Sequence, residues 1–131
     1  MAVADRNGLP IAIGIASGQR HETRNVIDTL KARFVKALPK RLIGDKAYDS
    51  DKLDTELLTL GIEMIAPHHP RRRKLTQDGR QLRRYKRRWH VERLFAWIQH
   101  SRRLVTRYET KAENYLGLLQ LACARILLRR L

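Results

Sequence analysis

One cysteine, Cys123, stands in 131 residues. That excludes an intrachain disulfide and a thiolate metal cluster. Its neighbours Leu118, Leu119, Leu121, Ala122 and Ile126 mark it as a small core residue. No segment reaches the roughly 18 apolar residues of a membrane span. The start, Met1-Ala2-Val3-Ala4-Asp5, lacks the basic lead and long apolar run of a secretory signal. The expectation is therefore a cytoplasmic protein with no membrane partner. Repeats are missing, as is any linker long enough to separate domains, so the chain is at most one domain. Acids are scarce: Asp plus Glu number 13 against 28 Lys plus Arg, a formal net charge of +15.

Apolar residues make up 43% of the chain, enough for a core. The positive charge is uneven. Residues 71–107 hold 14 Lys and Arg against two acids, Asp78 and Glu92. Such a block predicts a polyanionic partner, with nucleic acid foremost. A generically basic soluble protein is the plainer alternative.

Asn7-Gly8 signals a hairpin turn. Leu9 to Ala16 supplies its second arm, and Met1 to Arg6 leaves little room for the first, so the sequence reads as starting partway through a fold. His21 to Arg33 predicts a helix, with Val26, Ile27 and Leu30 at helical spacing and Glu22 in the first turn. Arg41 to Asp45 predicts a short strand. A helix capped by Ser50 or Asp51 and stopped by Gly61 follows, then a strand over Ile62 to Ala66. This strand–helix–strand run predicts a parallel pair. His68 to Gly79 reads as a basic loop, Gln81 to His100 as a long helix, and Lys111 to Arg130 as a last one.

Within the long helix, at about 100° per residue, Tyr85, Arg88, Glu92 and Gln99 share one stripe. Val91, Leu94, Phe95 and Ile98 form an apolar stripe beside it. A helix that merely coats DNA has no use for Glu92, which repels phosphate. A metal-dependent phosphoryl-transfer site does use such an acid. Asp45 ends a strand, the usual place for ligand-binding residues in α/β sheets. Each acid also has a bland reading: Asp45 as a turn former, Glu92 as the i,i+4 ion-pair partner of Arg88.

Tyr85, Arg88 and Glu92, together with Leu42-Ile43-Gly44-Asp45-Lys46-Ala47-Tyr48-Asp49-Ser50, Gly8-Leu9-Pro10 through Glu22, and Arg102-Arg103-Leu104 with Arg107-Tyr108-Glu109, carry a family pattern. It resembles the Tyr-x2-Arg-x3-Glu-x6-Lys signature and second-aspartate block of DDE transposases from insertion sequences. The insertion-sequence-5 branch, beside the insertion-sequence-4 group, is the nearest in look. Gln99 stands where that family carries Lys. The resemblance implies an α/β, ribonuclease-H-like fold with a mixed five-stranded sheet, here truncated at its N-terminal strands, and long C-terminal helices. The whole chain, residues 1–131, then corresponds to the C-terminal portion of the catalytic domain. The resemblance also implies that Asp45 and Glu92 are the second and third catalytic carboxylates and ligate Mg²⁺ or Mn²⁺. The first aspartate has no counterpart, since Asp5 sits at the hairpin turn. Tyr85, Arg88 and Gln99 would meet DNA, as would Arg71, Arg72, Arg73 and Lys74 of the basic loop. Implied partners are transposon-end and target DNA, the missing upstream half of the transposase, and other copies of the chain. The implied location is the cytoplasm of a prokaryote, at the nucleoid.

Two other readings stay open. One is a non-catalytic basic DNA- or RNA-binding remnant, which has no use for the two acids. The other is a generic nuclease of the same fold, which has no need of the Tyr85/Arg88 stripe. His68-His69 lacks a third ligand at zinc-like spacing and reads as loop. The helical wheel sets Trp97 opposite Trp89, and core packing is the expectation for both.

Overall fold

Asn7 and Gly8 do close a hairpin, and both arms lie within the chain. The computed structural model describes residues 1–74 and 81–130. In it, β1 (Ala2–Ala4) pairs antiparallel with β2 (Pro10–Ile13), Ala2 opposite Ile13 and Val3 opposite Ala12. The register shifts between Val3 and Ala4, next to the point where Pro10 has no N–H to offer the ladder. The expected orphan arm is thus corrected. A strand as short as Ala-Val-Ala carries too little alternation to be read from sequence.

The turn is built by Asp5, whose Oδ1 accepts the backbone N–H groups of Asn7 and Leu9, both at 2.8 Å. Gly8 takes φ +81°, a left-handed angle that glycine adopts without strain. A Cβ there would meet Arg93 Cδ at 3.2 Å and the His90 carbonyl oxygen at 3.3 Å. The glycine therefore lets the hairpin lie directly on the helix that carries both residues.

Helix α1 (Thr23–Lys31) buries Val26, Thr29 and Leu30. Strand β3 (Arg41–Ile43) leads through a single 3₁₀ turn, Lys46–Tyr48, into α2 (Asp51–Thr59). The Ser50 hydroxyl accepts from Leu53 N at 3.4 Å and caps α2, and Gly61 at φ +72° ends it. Strand β4 (Glu63–Ile65) then lies parallel to β3, Leu42 opposite Met64, as the strand–helix–strand pattern predicts.

The α/β class holds. The single mixed sheet does not appear among the described residues, which form two separate two-stranded sheets, β1-β2 and β3-β4. The end of the basic loop at Gly79 lies outside the described residues. Gln81–Arg88 is a 3₁₀ run rather than the first half of an α-helix, and α3 occupies Trp89–Gln99. The cause lies in the sequence. Leu82 and Tyr85, three residues apart, are the partly buried members of the run, and their cationic neighbours are exposed. A three-residue period puts Leu82 and Tyr85 on one ridge.

Short α4 (Arg102–Val105) and long α5 (Ala112–Leu128) complete the chain. Leu94 and Ile98 of α3 pack with Ile13, Leu119, Cys123 and Ile126 in one apolar cluster. A second joins α1, α2 and β4 through Val26, Leu30, Leu53, Leu57 and Met64. Cys123 sits in the first, and burial pushes its thiol up to about 11, away from any reactive thiolate.

Candidate functional site

A cavity of about 890 Å³ separates the two sheets, walled by β1 on one side, β3 on the other and the start of α3 along its length. Asp45 and Glu92 both line it, and Arg88 lines it with them. Two acids 47 positions apart in the chain thus open on one space, as the strand-end acid and the helix stripe predict. Tyr85, Gln99 and residues 71–74 are not on its wall.

Asp45 is fixed by local geometry. Its backbone is extended, and its Oδ1 accepts from Ala47 N at 2.8 Å, capping the 3₁₀ turn. Gly44 makes that turn possible, because a Cβ there would stand 2.5 Å from Met64 Cε and 2.7 Å from Tyr48 Cδ2. The Tyr48 ring closes over this spot on the cavity wall. Burial, then the charges of Glu22 and Asp45 and a hydrogen bond to Glu22, push the Tyr48 hydroxyl well above its ordinary range. Tyr48 is therefore held neutral beside the Asp45 turn. Glu22, also on the wall, is a cavity residue that no local spacing marks.

Glu92 lies in the first turn of α3, exposed, with Arg88 Nη2 3.8 Å from its Oε1. The Arg88 guanidinium in turn stands 5.3 Å from the centre of the Tyr85 ring. Tyr85, Arg88 and Glu92 thus form a ring–cation–carboxylate series, while Gln99, at the far end of α3, is exposed and apart from them. His90 shares the cavity wall, and its Nδ1 is buried without a hydrogen-bond partner.

The basic loop is anchored by an acid that sequence spacing does not single out. Asp49, 2% exposed in its side chain, accepts from His69 N at 2.7 Å, from the His68 ring at 3.1 Å and from Arg72 Nη1 at 2.6 Å. Arg72 also pairs with Asp51. Burial opposes the Asp49 charge, and these donors outweigh it, holding the carboxyl below the usual range. Arg72 is thereby turned toward the protein, while Arg71, Arg73 and Lys74 stay exposed. His68 and His69 serve this anchor, in keeping with a loop role.

Trp97 packs against the apolar cluster of α3 and α5, in keeping with the core expectation, whereas Trp89 departs from it. Arg93 Cζ lies 4.1 Å from the Trp89 ring centre and 5.9 Å from that of Trp97, so one guanidinium touches both rings. Residues 89 and 97 are about 80° apart on an α-helical wheel, not opposed. Trp89 is 43% exposed.

The donors at the cavity suit a hard divalent cation in kind, since carboxylate oxygens are what such ions take. They fall short in number. Among the described residues no three His, Cys, Asp or Glu side chains stand close enough to hold a metal. Asp5 and Asp45 each spend Oδ1 on backbone N–H groups of their own turns. Asp5, Glu22, Asp45 and Glu92 all line the cavity, but among the described residues they do not come together as a complete ligand set.

Comparison with known proteins gives two matches. Residues 1–127 match the family described as the transposase DDE domain. Over 132 aligned residues the chain is 32% identical to a Burkholderia cepacia protein named as a transposase for insertion sequence element IS402. That alignment takes in 95% of this chain and 59% of the relative, so the chain spans less than two-thirds of the relative's length. No solved structure matches it.

Proposed function

The chain belongs to the DDE transposase family, and from that premise we propose that it is the C-terminal portion of an insertion-sequence transposase catalytic domain, of the insertion-sequence-5 branch, which cuts and joins DNA in transposition. The observation that carries this reading is the shared cavity of Asp45 and Glu92. A pure nucleic-acid binder gains nothing from two acids on one wall. Domains of this family depend on a divalent metal. The oxygen donors favour Mg²⁺ or Mn²⁺ here, with Asp45 and Glu92 supplying some of the ligands.

The cavity also supports a ribonuclease-H-like arrangement. Among the described residues β1 and β3 each have one strand partner, and both line the gap between the sheets. Strands in a sheet lie about 4.8 Å apart. One further strand in the gap would join the two pairs into a single mixed sheet. Carried by the upstream half of the transposase, such a strand would bring the first aspartate beside Asp45 and Glu92. On this reading Tyr85, Arg88 and Gln99 meet transposon-end DNA, exposed Arg71, Arg73 and Lys74 follow its backbone, and Arg72 holds their loop in place. The protein works in the cytoplasm at the nucleoid, self-associates, and is inactive as the isolated chain.

Strand cleavage of transposon-end DNA with Mg²⁺ or Mn²⁺ tests this. We expect no cutting by the chain alone. Cutting should appear when the upstream half is supplied, and fall by at least about 10²-fold with Asp45→Ala or Glu92→Ala, the loss that follows removal of a group acting in the transition state. Unchanged cutting by either variant would refute the assignment of the two acids.

A further inference from the structure

Beside the large cavity lies a second, smaller hollow of about 370 Å³, lined by Arg6, Asn7, Leu9, Arg93 and Arg130. Its walls come from the hairpin turn, α3 and the end of α5. Three guanidinium-bearing side chains converge there. Among the described residues no carboxylate forms an ion pair with Arg6, Arg93 or Arg130. Like charges gathered without an acid cost free energy, and an anion placed among them recovers it.

Two of the cations are held in advance. Arg93 lies against Trp89 and Trp97, and Arg130 Cζ is 4.7 Å from the Trp97 ring centre. Stacking on an aromatic face restrains a guanidinium yet leaves its N–H edge free to fork onto an oxyanion. Gly8 contributes by letting the hairpin descend onto Arg93, which brings Arg6 and Asn7 to the same hollow. Exposed Trp89, and Trp97 at the edge of the core, act as platforms for this group.

We infer that this hollow binds a backbone phosphate of DNA, an inference that rests on the DNA-acting reading above. Arg6 lines both this hollow and the large cavity, and neighbouring residues of α3, Glu92 and Arg93, line one each. A strand whose phosphate is seated among the three arginines therefore passes next to the space onto which Asp45 and Glu92 open. The hollow sets where the strand lies relative to the acids. The basic block at 71–107 contributes Arg93 to it, while Arg6 and Arg130 come from outside that block.

The test uses the full chain and a labelled duplex, titrated between 50 and 200 mM salt. Arg6→Gln with Arg130→Gln leaves Arg93 and its tryptophans intact. The matched control, Lys31→Gln with Lys36→Gln, removes the same charge from exposed positions around the end of α1. The hollow variant should bind several-fold more weakly at 100 mM salt, with a slope of log K against log salt shallower by about 1. The control should keep nearly the wild-type slope. Equal losses in the two variants, or none in the hollow variant, would overturn the inference and leave the transposase reading standing. A wild-type chain that binds no duplex would overturn both. Inorganic phosphate is the second probe: competition only at millimolar levels supports a DNA phosphate, and saturation at micromolar levels marks a site for a free anion instead.

Discussion

Asp49 keeps its charge although its side chain is 2% exposed, because three donors from residues 68 to 72 converge on it. Asp49→Ala removes the acceptor shared by the His69 N–H, the His68 ring and Arg72, and loosens the loop that carries Arg71, Arg73 and Lys74. We expect a loss of roughly 1–3 kcal/mol in unfolding free energy. Its pH dependence has a definite sign. The folded carboxyl lies below its unfolded value near 4, so the stabilisation is complete above that pH and is lost as pH falls through the lower folded value. Thermal melts of wild type and variant should stand apart at pH 7 and converge well below pH 4; a gap that persists undiminished in acid would point to packing instead. Asp45 and Glu92 are legible in the sequence because local features mark each: a strand end and a helix stripe. Asp49 is not, since its partners lie 19 to 23 residues away and come together only when β4 has paired with β3. Glu22 is hidden likewise, since it joins Tyr48 on the cavity wall only once α1 and the β3–α2 turn are in place.

At the level of elements, the signals that involve backbone stereochemistry translate well. Ser50 caps α2, Gly61 stops it, and Asn7-Gly8 turns the hairpin. Periodicity is the weaker guide. A 100° wheel does not hold across residues 81–88, where the backbone turns three residues at a time, and β1 is too short to alternate visibly. The stripe survives because Tyr85 and Arg88, three apart, remain neighbours at either period. Gly8 is the element-scale lever. Gly8→Ala faces the left-handed backbone angle, worth about 1–2 kcal/mol for a residue with a Cβ, and a methyl 3.3 Å from the His90 carbonyl oxygen, which cannot swing aside as a side chain does. The hairpin should lift from α3 before the rest of the fold melts. Amide exchange of Ala12 and Ile13 should accelerate more than that of Leu53 and Leu57 in α2. Uniform acceleration across both would mean that the hairpin and α2 unfold as one unit.

Across the whole molecule, charge and core pull against each other. The chain carries +15, and its exposed ion pairs, such as Arg20–Asp28 and Lys52–Glu56, return little, since solvated pairs contribute at most about 1 kcal/mol each. The apolar interior is divided between two clusters, so no single core absorbs the repulsion. Raising salt from about 0.1 M to 1 M shortens the screening length from about 10 Å to about 3 Å. Repulsion among exposed arginines should fall away, while the Asp49 anchor, shielded from solvent, changes less. The melting temperature should therefore rise with KCl by roughly 2–5 °C, the shift that about 1 kcal/mol produces in a chain of this size. Replacing exposed Arg71, Arg73 and Lys74 with Gln should raise the melting temperature at low salt and flatten the salt response, since it removes some of the charge that the salt screens. A melting temperature that falls as salt rises would mean that attractive pairs dominate the folded state. The surplus positive charge would then be balanced within the protein, and it would not be held in reserve for a polyanion.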